Sequence, residues 1–192
     1  MSKQKQLSRQ QIHKLVGIAL LSAIVVVLQL IGQYIRVGPV SISLVLIPIV
    51  VGSAVYGPMA GGILGFVFSV VVLCQPDTNA FYAVTVPGTI ITVITKGVCS
   101  GLASGYVYRL IAKRSSTIAV IAAAIVSPVV NTGLFSLGCR IFFWDFLAEL
   151  GGGNALLFLV TGLIGFNFLA ELGANLICGP AIVRIIRISK KT

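Results

Sequence analysis

The stretch Lys14–Gln33 reads KLVGIALLSAIVVVLQLIGQ, and only Ser22 and Gln29 interrupt its apolar residues between the two polar ends. A helix that crosses a bilayer needs about 20 residues of this kind. Further apolar runs follow at about Pro39–Val55, Met59–Cys74, Val86–Ile111, Thr117–Phe143 and Ala155–Ile186. The turn Tyr56-Gly57-Pro58 divides the second run from the third, and a polar loop, Gln75–Tyr82, precedes the fourth. A short basic loop, Ala112–Ser116, leads to the fifth, and Trp144–Asn154, ending in three glycines, leads to the sixth. The second and third runs are near the lower length limit for a span. The pattern predicts an all-α integral membrane protein, a compact bundle of six transmembrane helices in one domain. Residues 1–13 form a cytoplasmic N-terminal segment, 14–187 the bundle and 188–192 a basic cytoplasmic tail.

Composition agrees with this reading. Hydrophobic residues make up 57% of the 192 and charged residues only 9%, with mean hydropathy +1.07. A soluble domain is about a quarter charged, so a water-facing surface has too little to draw on. The net charge of +10 on a soluble surface would suggest nucleic acid. Here the basic residues cluster at the chain ends and in one loop, where membrane topology and anionic lipid account for them. With the N-terminus inside, that side receives Lys3, Lys5, Arg9, Lys14, Arg109, Lys113, Arg114, Arg184, Arg187, Lys190 and Lys191. Arg36, Arg140, Asp77, Asp145 and Glu149 fall on the other side, so both ends are expected in the cytoplasm. The apolar run after Lys14 is too long for a cleavable signal peptide, and no small-residue cleavage site follows it. Cys74, Cys99, Cys139 and Cys178 form no CxxC pair and read as small packing residues. A bridge between Cys74 and Cys139, both expected near the outer surface, is the alternative.

Polar groups inside the apolar runs are costly and mark function by default. Lys96 lies about ten residues into the fourth run, flanked by Thr89, Thr92 and Thr95. Asn131 and Thr132 follow Pro128 in the fifth, and Arg140 stands near its outer end. Asn167, Glu171 and Asn175 recur every four residues in the sixth and so share one helical face. Two compatible readings arise. Lys96 and Glu171 neutralise one another as a structural pair. Alternatively they line an outward-opening cavity in which Lys96 or Arg140 holds an anionic group while Thr92, Asn131, Asn167 and Glu171 bind hydroxyls or amides. Tyr34, Phe81, Tyr82, Phe142, Phe143 and Trp144 group at the outer interface, either as an aromatic belt or over a ligand.

Other chemistries lack their residues. One histidine, His13, cannot build a metal site with distant cysteines, and no GxxxxGK[ST] phosphate loop occurs. Four carboxylates, three of them in expected outer loops, leave little for a membrane enzyme. Ala19 and Ala23 form a small-xxx-small face near the inner end of the first helix, which permits close approach of another helix.

These features together resemble the substrate-binding S components of energy-coupling factor (ECF) vitamin transporters. The resemblance rests on size, six helices, Ala19–Ala23, the stretch Leu46–Gly52 leading to Tyr56–Gly65, Pro128 with Asn131-Thr132, and the Asn167, Glu171, Asn175 stripe. It implies a non-catalytic receptor in a bacterial cell membrane that captures a small water-soluble vitamin from outside, without a cofactor. It implies as partners a membrane coupling protein and two ATP-binding cassette ATPases, with Ala19 and Ala23 at the contact. The segment Tyr34–Ser41 is implied as a lid, and Tyr34 as a ligand neighbour. The Ile-Pro and Asn-Thr elements look most like the pantothenate-type branch. Pantothenate carries a carboxylate, an amide and two hydroxyls, which suit Lys96 or Arg140 with Asn131 and Asn167. Folate, riboflavin, thiamine and pyridoxine-like cargo stay open. So do a stand-alone secondary transporter or channel using Lys96 and Glu171, and an assembly protein without ligand.

Overall fold

The computed structural model describes residues 9–32, 34, 36, 37, 40, 41 and 44–189. For residue 9, for 36, 37, 40 and 41, and for 162–164, 166, 167, 170, 181, 182 and 185–189, it describes the backbone only. Lys3, Lys5, Lys190 and Lys191, assigned above to the inner side, lie outside the described residues. The long helices are α1 (Arg9–Gly32), α2 (Leu46–Tyr56), α3 (Pro58–Leu73), α5 (Val86–Ile111), α6 (Ser116–Phe142) and α9 (Phe166–Ser189). Shorter helices, α4 (Asn79–Val84), α7 (Trp144–Leu150) and α8 (Ala155–Leu157), fill the connections. Between α8 and α9 the chain takes wider π-type turns over Phe158–Gly165, which re-aim the face that follows.

Among the described residues, α1, α5 and α6 are each long and apolar enough to cross a membrane. The helix α3 with its continuation Pro76–Val84, bent by 76°, makes a fourth if the pair is one span. The fourth expected run matches α5 residue for residue. The second departs most. Within it Val40–Ser41 (β2) pairs antiparallel with Arg36–Val37 (β1), and the described helix begins at Leu46. The sequence Val40-Ser41-Ile42-Ser43 alternates with period two, a strand pattern that mean apolarity conceals. At 1.5 Å per residue, α2 is about 16 Å long, roughly half a hydrocarbon core.

The outer and inner surfaces are reversed relative to a water-soluble protein. Leu20, Ile24, Val27 and Ile31 of α1 and Ile118, Ile121, Ile125 and Val129 of α6 are exposed at helical spacing. The interior holds, beside its apolar clusters, Ser53, Ser69, Ser100, Ser104 and Ser127, all fully or almost fully buried. Each is hydrogen-bonded within or between helices. Ser69 Oγ donates to Val93 O (2.8 Å), joining α3 to α5. Ser53 and Ser104 hydroxyls lie 3.1 Å apart between α2 and α5. Ser100 Oγ donates to Ser127 O at 2.9 Å, with the two hydroxyls also 2.9 Å apart, between α5 and α6. Where lipid surrounds the helices, such bonds and close packing replace the hydrophobic effect as the associating force. Near the other end of α1, Gln29 Nε2 donates to Gln75 Oε1 (2.9 Å) and Gln75 Nε2 to Gln29 O (3.1 Å), tying α1 to the turn after α3.

The tightest seam joins α3 and α5, which run antiparallel. Gly61 faces Gly101 and Gly65 faces Gly97 so closely that a Cβ on any of the four would strike a carbonyl or side chain across the seam. The seam is entered through Gly57, whose φ of +97° strains any other residue. Its N–H closes α2 on Ser53 O (3.1 Å), and Pro58 then opens α3. Gly133, by contrast, has nothing near its missing Cβ. In detergent, Gly65→Leu is expected to cost about 3 kcal/mol or more by overpacking. Gly133→Ala is expected to be neutral or stabilising by up to about 1 kcal/mol. Thermal unfolding midpoints of the two variants check this.

Candidate functional site

Two pairings between α5 and α6 define the site. Ser100 meets Ser127, and about two turns along α5 and three along α6 Thr92 packs on Gly138, where any side chain would collide with it. Between these points, α5 presents Lys96 and α6 presents Asn131 and Phe135. Lys96 is half-buried as a residue, with its stem and ammonium drawn in between two rings. Its Nζ lies 4.7 Å from the Phe135 ring centroid and 5.9 Å from that of Phe68 on α3. The Glu171 carboxylate of α9 is within electrostatic reach of the ammonium, and Cys139 is a further neighbour on α6. Glu171 is 2% exposed. Asn175, one turn further along α9 and on the same face, is buried as well.

Three of these side chains carry a polar atom with no hydrogen-bond partner among the described residues: Thr92 Oγ1, Asn131 Oδ1 and Asn175 Oδ1. Leaving a buried polar group unmet costs about 1–3 kcal/mol each. Among the described residues the buried serines are all bonded, and the unmet atoms lie on α5, α6 and α9. Thr89, on the same face of α5, shows the contrast: its hydroxyl donates to Thr85 O at 2.7 Å. The unmet atoms and the ammonium have the composition of a receptor for a small polar molecule with an anionic group.

An aromatic cluster stands over the site at the end of the bundle shared by the start of α5 and the end of α6. Phe81 of α4 sits at its centre, with ring centroids 6.0 Å from Phe135, 5.1 Å from Phe143 and 6.0 Å from Phe146. Phe143 is fully buried, so Phe81 and Phe143 act in packing rather than in a lipid-facing belt. Tyr82 Oη donates to Leu73 O at 3.0 Å.

The structure brings Lys96, Thr92, Asn131 and Glu171 into this site and adds Asn175, Phe135 and Phe68. Arg140 is elsewhere: it is exposed, with its guanidinium 4.2 Å from the Trp144 ring centroid. Tyr34 is 82% exposed, and the Asn167 side chain lies outside the described residues. Cys74 is exposed and Cys139 buried, both as free thiols. Ala19 and Ala23 are both exposed on α1, the least enclosed of the three long spans. Phe135 carried a signal that sequence reading passed over: it stands one turn from Asn131, on the face that meets Lys96. An aromatic residue in an apolar run otherwise reads as core.

Asn131→Leu fills similar volume and removes an unmet buried amide. It is expected to stabilise the empty protein by about 1–2 kcal/mol while removing ligand binding. Unfolding midpoints with and without ligand check both halves.

Residues 13–183 match the family model described as ECF transporter, substrate-specific component. No curated protein and no solved structure matches the chain. The match spans most of the sequence, so this membrane protein belongs to the substrate-specific components of ECF transporters.

Proposed function

We propose that this chain captures a small anionic vitamin, pantothenate as first choice, from outside the cell and delivers it with a separate ATP-driven module. The observation that carries this reading is an ammonium held against two rings, together with unmet polar atoms on three helices, Thr92 Oγ1 on α5, Asn131 Oδ1 on α6 and Asn175 Oδ1 on α9. Lys96 takes the vitamin's carboxylate. Thr92 and Asn131 meet its amide and hydroxyls, and Glu171, Asn175 and Asn167 contribute from the α9 face. Tyr34 and the β1–β2 hairpin stand as the lid, and Arg140 as an outer capture point for the anion. The whole chain acts as one domain of six helices in a bacterial plasma membrane, with both termini in the cytoplasm. In that topology α4 and α7 lie outside and the loop bearing Lys113 and Arg114 lies inside.

The energising partners are a membrane coupling protein and two ATPases, and the exposed Ala19–Ala23 face of α1 is their contact. An exposed small-xxx-small face admits a second helix at close range. The subunit itself carries no catalysis in this reading.

Two experiments test the proposal. The protein is purified from cells in detergent and denatured, and the released small molecules are identified by mass spectrometry. Pantothenate is the expected product; a neutral or cationic vitamin would overturn the choice of cargo. Lys96→Ala is expected to weaken pantothenate binding by about 2 kcal/mol, roughly thirtyfold. Separately, Ala19→Leu with Ala23→Leu is expected to abolish uptake in cells while leaving binding by the purified chain unchanged. Loss of both would place those residues in internal packing instead.

A further inference from the structure

The Lys96 ammonium carries three N–H donors on a flexible four-carbon stem. Its close neighbours include two ring faces, Phe135 at 4.7 Å and Phe68 at 5.9 Å. A ring face attracts a cation through its quadrupole but satisfies N–H donors weakly. Such a cation is held in position with its donors little used by the rings, while the Glu171 carboxylate acts on its charge. A tight pair with Glu171 would do the reverse, using up the donors that an incoming anion needs.

The Phe135 ring is itself fixed. Phe81 meets it edge-on, with centroids 6.0 Å apart and planes at 71°. Phe81 is held in turn by Phe143 at 84° and Phe146 at 69°. From α3, Phe68 is 3% exposed and follows the Gly65–Gly97 contact by three residues, so the seam next to Lys96 sets its place. The two rings approach the ammonium from different helices, α6 and α3, while Thr92 stands one turn before Lys96 on α5 and Asn131 one turn before Phe135 on α6.

From this arrangement we infer that Phe135 is a positioning residue: its ring holds the Lys96 ammonium away from full neutralisation, ready for an anionic group of the cargo. The inference rests on the proposal that Lys96 receives such a group, and adds the residue that makes it available. Fixing a flexible side chain before binding removes part of the ordering cost that binding otherwise carries. Phe135 does not have to touch the cargo to act in this way. Its contribution is therefore to discrimination between anionic and neutral cargo, and it operates only through Lys96.

The test uses the full chain in detergent. Position 135 is replaced by mono-, di- and trifluorinated phenylalanine, which keep the ring's shape and progressively weaken its attraction for a cation. The unfolding midpoint of the empty protein is expected to fall stepwise with fluorine number. The same series in a Lys96→Met background is expected to be flat. A flat series with Lys96 present, or equal slopes in both backgrounds, would overturn the inference. Phe135→Leu is then compared with the unchanged protein for binding of pantothenate and of its neutral alcohol analogue, pantothenol. The preference for the anion is expected to narrow by roughly threefold to thirtyfold, the range of a desolvated cation–π contact. An unchanged preference would overturn the positioning role. If neither compound binds the unchanged protein, pantothenate as cargo is wrong, and the fluorination series alone decides whether Phe135 holds the ammonium.

Discussion

The α3–α5 seam holds two backbones so close that Gly61, Gly65, Gly97 and Gly101 admit no side chain. Lys96 is next in sequence to Gly97, and Phe68 is three residues beyond Gly65. The depth of the seam thus fixes the ammonium against the Phe68 ring before any polar contact is considered. Ser69, one residue further, bonds Val93 O and locks the axial register. Once α5 is placed, the Ser100–Ser127 bonds set α6 against it and bring Asn131 and Phe135 opposite Lys96. Glycine packing and serine bonding set the register of the helices around buried apolar clusters such as Val25, Leu46, Ile49 and Leu64.

The same interior shows two ways of treating polar groups. Hydroxyls that join helices are bonded and deeply buried. The groups near Lys96 and on α9 include atoms left unmet, and they sit beside a cation that two rings only partly answer. In a low-dielectric setting an unmet polar atom and a half-answered charge are both expensive. Leaving them unmet while the helix-joining hydroxyls are bonded is what the proposed cargo would explain.

Most of the helical plan was legible because apolar length is a strong signal. The run Val86–Ile111 coincides with α5, and the fifth run is displaced from α6 by one residue at each end. Length misled at Pro39–Val55, where a strand-like alternation and a short helix share one apolar stretch. Lys96, Glu171 and Asn131 were legible as candidates because polar groups inside apolar runs have few other reasons to be there. Phe68 and Phe135 were not, since an aromatic side chain in such a run carries no cost that marks it. Arg140 has the right charge, yet it is exposed and stacks on Trp144; nothing in the spacing separates it from Lys96. Family membership, read from loose glycine-rich motifs, was better founded than any single residue role, because it drew on features spread along the whole chain.

The central claim is that the unmet atoms around Lys96 are met by cargo rather than by one another. An experimental structure of the protein purified with its bound small molecule tests this most directly. The account predicts a ligand within hydrogen-bond distance of Lys96 Nζ, Thr92 Oγ1 and Asn131 Oδ1, with its anionic group on the ammonium. A ligand seated elsewhere, with these atoms bonded between helices and Lys96 closed onto Glu171, would contradict it.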